Sequence, residues 1–90
     1  MYLHLGENVA VNGKDIVSVI DLENSTVSAH TREFLKAAQQ NGQVVNVSDE
    51  MPKSAIVCDR KGRKTVYISQ ISTATLVHRA ASEANRYHGT

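Results

Sequence analysis

The 90-residue chain has one cysteine, one proline, no tryptophan, one phenylalanine and three tyrosines. The lone Cys58 excludes an intrachain disulfide and suits a reducing cytosol. No stretch approaches the roughly 18 apolar residues of a membrane span. The opening Met1-Tyr2-Leu3-His4-Leu5-Gly6-Glu7 lacks a basic start followed by a long apolar run. No signal peptide is expected from it, and the cytoplasm is the expected location.

Catalytic signatures are missing too. No P-loop, G-x-S-x-G or H-E-x-x-H pattern occurs. His4, His30, His78 and His88 show no metal-ligand spacing, so neither a metal nor a cofactor is expected. His78 and Arg79 read as surface groups on a helix. Cys58 falls inside an expected strand, where a lone cysteine reads as a small buried hydrophobe. Asp49-Glu50 precedes Pro52 closely and reads as a solvated loop. The chain is therefore not expected to be an enzyme.

What remains is a β-rich recipe for one domain spanning residues 1–90. Leu, Ile, Val and Phe make up 22 residues, half of them valine, too many for a disordered chain. Compact packing would give a radius of gyration of about 12 Å. A core this thin, with no disulfide, favours self-association as a source of stability.

The net charge of +1 hides an asymmetry. Residues 1–51 carry three basic and seven acidic groups, whereas residues 52–90 carry seven basic and two acidic groups. The densest basic cluster is Arg60-Lys61-Gly62-Arg63-Lys64. Such a cluster suits a polyanion, whose phosphates it can neutralise with counterion release. It equally suits a solvated turn or a strand edge protected against aggregation, and charge alone does not choose. By the same arithmetic Lys14 and Lys53 are isolated surface lysines.

Periodicity orders the elements. Tyr2–Leu5 alternates as a strand and continues through Val9-Ala10-Val11 after a bend or bulge at Gly6-Glu7-Asn8. Asn12-Gly13 suits a type I′ turn into a second strand, Ile16–Ile20. Residues 24–42 shift to helical period, with Val27, Thr31, Phe34, Leu35 and Ala38 on one stripe. Asn24, Ser25 or Ser28 would cap its start and Asn41-Gly42 its end. Val44–Val47, Ala55–Cys58 and Thr65–Ser69 read as strands, the last two joined by the basic loop with Gly62 free for positive φ. Ser72 caps a second helix over about 73–87, with the stripe Leu76, Val77, Ala80, Ala81 and Ala84. The expected fold is α+β: a small mixed, mostly antiparallel sheet of four to five strands with two helices. Ile16 and Ile20 on one face and Val17 and Val19 on the other make the sheet apolar on both sides. Two helices, one with an alanine-rich stripe, leave apolar surface for a subunit interface; the alternative is one helix on each face and a monomer.

The segments Met1–Glu7, Lys14–Asp21, Glu33-Phe34-Leu35-Lys36, Pro52–Val57, Tyr67-Ile68-Ser69 and Ser72–Leu76 occur in an order that resembles the RemA/RemB family of bacterial extracellular matrix regulators, most closely its RemB branch. The resemblance implies a homo-oligomeric ring that binds double-stranded DNA and regulates biofilm matrix genes. It maps DNA contacts onto Lys14 and onto Glu50-Met51-Pro52-Lys53-Ser54, where the family pattern has an arginine-rich run and this chain has only Lys53, beside Asp49 and Glu50. The candidate DNA-binding residues are thus Lys14 and Lys53 by resemblance, and Arg60, Lys61, Arg63 and Lys64 by charge. A ring repeats each cation at fixed spacing and requires a heterologous interface that closes. The missing arginines keep a second expectation open, an oligomeric adaptor that binds another protein such as a paralogous regulator.

Overall fold

A computed structural model describes residues 1–24 and 27–88, with side chains described as far as Ser82. Six strands and two helices occur in the order β1 (Tyr2–Gly6), β2 (Val9–Asn12), β3 (Ile16–Asp21), α1 (Ala29–Gln40), β4 (Val44–Asn46), β5 (Ser54–Arg60), β6 (Arg63–Ser69) and α2 (Thr73–His88). The α+β class with a mixed, mostly antiparallel arrangement agrees with the sequence reading. The strands, however, form two sheets rather than one. β1 and β2 make a separate antiparallel pair, and the main sheet has the order β3-β5-β6-β4, parallel only between β4 and β6.

The reason lies at Gly6-Glu7-Asn8. Gly6 and Glu7 take φ of 112° and 50°, so this segment turns the chain back on itself instead of bulging within one strand. Asn12-Gly13 is correspondingly not a hairpin turn. Asn12 Oδ1 accepts the Lys14 N–H at 3.0 Å and caps a single 3-10 turn, Gly13–Asp15. The Gly13 N–H donates to the Met1 carbonyl at 2.9 Å, and a Cβ there would crowd only the movable end of the Met1 side chain, Cε at 2.5 Å.

β5 is the centre of the main sheet, buried from Ser54 to Cys58 on both faces. Ala55, Val57 and Val66 meet α1 through Phe34, Leu35 and Ala38. Ile56 and Cys58 meet the β1–β2 pair through Leu3, Leu5 and Val11, and α2 through Leu76. Both apolar faces are therefore covered, because the first hairpin supplies the layer that the helices alone would not. Ile16 and Ile20 do not share a face. Val17 is an extra residue opposite the register step between Ile16–Cys58 and Ser18–Val57, so Ile16 packs with Val19 and Ile20 on the opposite side.

Helix α1 starts later than its periodicity suggests. Ser28 caps it, its Oγ accepting the Thr31 N–H at 3.2 Å, and Val27 lies before the first turn. Ser25 lies outside the described residues. The stop is a Schellman motif: Gly42 (φ 70°) donates to Gln39 and Gln43 donates to Ala38, at 3.1 and 2.9 Å. On α2, Leu76 is buried and Ala80 half-buried, but Val77 is 63% exposed and Ala81 exposed. The expected stripe thus divides into an inner edge and an outer one, and the Ala84 side chain lies outside those described.

Two buried hydroxyls join the layers. Ser54 and Ser69 face each other across β5 and β6, both with no exposure. Ser69 Oγ donates to the Leu5 carbonyl at 2.6 Å and accepts the Ile71 N–H at 3.0 Å, while Ser54 Oγ donates to the Ile71 carbonyl at 2.8 Å. Ser69→Ala leaves a carbonyl and an N–H without this partner in the interior and is expected to destabilise by about 1–3 kcal/mol, measured by urea unfolding. Gly6→Ala and Gly62→Ala separate two glycine costs. Open space surrounds Gly62, whereas a Cβ on Gly6 would lie 2.8 Å from Gln70 Nε2. The Gly62 variant is expected to lose about 1 kcal/mol from backbone strain alone, and the Gly6 variant distinctly more.

Candidate nucleic-acid interface

The β5–β6 connection is tighter than its composition suggests. Pairing persists to Arg60–Arg63, leaving only Lys61 and Gly62 between the strands. Both have positive φ, 55° and 83°, the requirement of a type I′ turn. Asp59 Oδ1 accepts the Gly62 N–H at 3.0 Å and secures the tip. The cluster thus sits on a rigid hairpin end rather than on a six-residue loop.

Strand parity then divides the four cations. Arg60 and Arg63 project to the β1–β2 side, the side of Cys58 and Tyr67. Lys64 projects to the α1 side, its Nζ 5.7 Å from the centre of the Phe34 ring. At an exposed position such a contact contributes about 0.5–1 kcal/mol and leaves the ammonium reachable by solvent. Lys61 occupies the turn itself. All four side chains are exposed, and among the described residues none forms an ion pair. Counting Asp59 with the four cations, residues 59–64 of the hairpin carry a net +3.

Lys14 and Lys53 occupy opposite ends of the sheet. Lys14 is exposed on the 3-10 turn, which packs against β5 and lies at the Cys58 end, the same end as the basic hairpin. Lys53 precedes β5 at the far end, about 20 Å away along a seven-residue strand. Its backbone is fixed: its N–H donates to Ser69 at 2.8 Å and its carbonyl accepts from Leu22 at 2.9 Å. Asp49 and Glu50 are exposed in the same loop, with Met51 83% exposed between them and Pro52. Within one subunit the structure joins Lys14 to the hairpin end and separates Lys53 from both.

The sequence reading did not isolate two other features. Val17, pushed out by the bulge and 65% exposed, forms an apolar patch with Phe34 and His30 beside Lys64. Arg79, read as a plain surface group, donates from Nη1 to the His4 carbonyl at 3.2 Å and ties α2 to β1. No sequence motif marks either, since a bulge and a side-chain-to-carbonyl bond depend on the register of distant strands.

Among the described residues no group of three or more His, Cys, Asp or Glu side chains is placed to hold a metal ion, and no helix is long and apolar enough to cross a membrane. Cys58 is buried, with its thiol pushed above the ordinary range by burial and, secondarily, by the Asp15 carboxylate.

The sheet order, the added hairpin and the fixed basic turn define a small α+β domain with a charged hairpin end. A family model described as "RemA-like: Extracellular matrix regulatory protein A-like" matches residues 2–80, and the chain belongs to this family of regulatory proteins. It is also 36% identical over 80 residues to "Extracellular matrix regulatory protein B" of Bacillus subtilis (strain 168), covering 89% of this chain and 90% of that protein.

The Cys58 shift fixes a pH dependence. The folded thiol holds its proton above the pH at which the unfolded thiol loses it. Its contribution to stability is complete below the ordinary thiol pKa of about 8.5 and declines as pH rises through that value toward the folded one. Alkylation of the native protein is expected to stay slow through pH 8.5. Asp15→Asn should speed it at a given pH, as read by iodoacetamide labelling and mass spectrometry.

Proposed function

We propose that this chain is a DNA-binding regulator of extracellular matrix genes that acts as a homo-oligomeric ring. The observation that carries the reading is the rigid β5–β6 turn, which presents four exposed, unpaired cations on two faces. Lys61 and Lys64 lead the contacts, with Arg60 and Arg63 at the base of the turn and Lys14 at the same end. Lys53 contributes from the far end. Recognition is dominated by phosphate contacts, since the described helices form no helix-turn-helix; α1 offers only two exposed cations, Arg32 and Lys36, one turn apart.

Assembly turns a weak ligand into a strong one. Each phosphate neutralised contributes about 0.9 to the slope of log K against log salt, so a single subunit grips little DNA, and repetition around a ring multiplies the grip. Repetition also offers a way to place one copy's Lys53 near the next copy's Lys14. The surface favours self-association. Its 6291 Å² exceeds by about a fifth the roughly 5,200 Å² expected for this mass. The radius of gyration, 13.3 Å, likewise exceeds the compact value. Ala74, Val77 and Ala81 form an exposed apolar stripe along α2, suited to close helix packing.

One observation favours a second reading. The Asp49–Met51 loop is acidic, exposed and tipped by a methionine, better suited to a protein than to phosphate. In that reading the oligomer is an adaptor for a paralogous regulator, and the mass of the mixed proteins reports it.

Light scattering is expected to give a multiple of 9.8 kDa. Val77→Glu, at a position 63% exposed, should reduce that mass without loss of helix signal. In DNA shift assays across a salt series, Lys61→Gln with Lys64→Gln should flatten the salt slope by about 1 per lost contact. Lys53→Ala should have less effect, because Asp49 and Glu50 already offset that charge. No shift at low salt, with the oligomer intact, would sink the DNA reading.

A further inference from the structure

Arg60 and Arg63 are an unusual way to close a hairpin. They are directly paired across β5 and β6, both exposed, and among the described residues neither meets a carboxylate. Like charges opposite each other cost about 0.2–1 kcal/mol. Both side chains line a recess of about 260 Å³ between the β1–β2 pair and the end of the main sheet. Tyr2, Tyr67, Asn12 and Asp15 share that lining. We propose that the recess binds a mononucleotide, with the phosphate held by Arg60 and Arg63 and the base against the Tyr2 ring.

Three further observations select this ligand class. Tyr2 is 65% exposed, lies outside the core clusters and lines the recess together with both arginines, and an exposed aromatic side chain in such a lining suits a planar base. Asp15 accepts no hydrogen bond and forms no ion pair among the described residues. A carboxylate in the lining repels a bare anion but accepts from a hydroxyl or an N–H, so it favours a phosphate ester carrying such donors. Asn12 Oδ1 is already occupied by the Lys14 N–H, which leaves its amide nitrogen free to donate. Size sets the upper bound. The recess falls below the usual 300–1,000 Å³ of ligand pockets, room for one nucleotide but not for a dinucleotide or a duplex. Lys61 and Lys64 lie outside the lining, so the site shares only Arg60 and Arg63 with the phosphate-contacting turn.

The test is calorimetric titration of the full chain, without DNA, with adenosine and guanosine 5′-monophosphate, ribose 5-phosphate, adenosine and inorganic phosphate. One nucleotide per chain should bind saturably, at least about tenfold tighter than the three fragments, since charge-assisted and stacking contacts are each worth a factor of that order. Arg60→Gln, Arg63→Gln and Tyr2→Ala should each weaken binding by a similar factor without lowering the melting temperature, and Lys61→Gln with Lys64→Gln should leave binding unchanged. No saturable binding at millimolar nucleotide would overturn the proposal. So would equal affinity for inorganic phosphate or ribose 5-phosphate, or an equal loss in the Lys61/Lys64 variant. DNA binding is scored separately on the same preparations, so either reading can fail alone.

Discussion

Burying a strand on both faces obliges a chain to build a layer on each side of it. β5 imposes that demand here, with five consecutive buried residues from Ser54 to Cys58. One helix answers it on the Ala55–Val57 side. On the Ile56–Cys58 side α2 alone does not suffice, and the first twelve residues fold into a hairpin that completes the cover. The same strand also positions the basic turn: because β5 and β6 stay paired to Arg60–Arg63, burial at one end is transmitted as rigidity to the other. Charge at the tip is thus held at fixed spacing by the apolar demand of the middle.

Among the described residues, the two fully buried polar side chains, Ser54 and Ser69, lie where they join layers. Ser54 and Ser69 sit at the end of β5–β6 remote from the turn, where the chain must attach β1 and lead into α2. Valine in either place would fill space but leave the Leu5 carbonyl and the Ile71 amide and carbonyl without these partners. The arrangement assigns the two ends of one strand pair different tasks, attachment at the serine end and charge presentation at the arginine end.

Much of this was legible in the sequence. The α+β class, both helices, the α1 stop at Asn41-Gly42 and every main-sheet strand follow from period and from turn chemistry. The two sheets did not follow, because Asn12-Gly13 carries the stronger local turn signal and Gly6-Glu7 the weaker one. At Gly6 the backbone takes φ 112° and the Gln70 side chain, 64 residues away, fills the space a Cβ would need, neither of which is marked in the local sequence. The basic cluster was visible as charge, but its division between two faces was not, since that depends on pairing that runs to Arg60 and Arg63. Likewise Val77 fits a helical stripe by spacing, and only the placement of Leu76 against the hairpin decides which edge of that stripe turns outward.

The extra residue at Val17 has a consequence for the open edge of the main sheet. β3 is an outer strand of the main sheet, with one side of its backbone not paired to another strand. A straight outer strand is a template on which like molecules stack without limit. The kink at Val17 spoils the even ladder such stacking needs. Growth by edge-to-edge zippering is thereby discouraged.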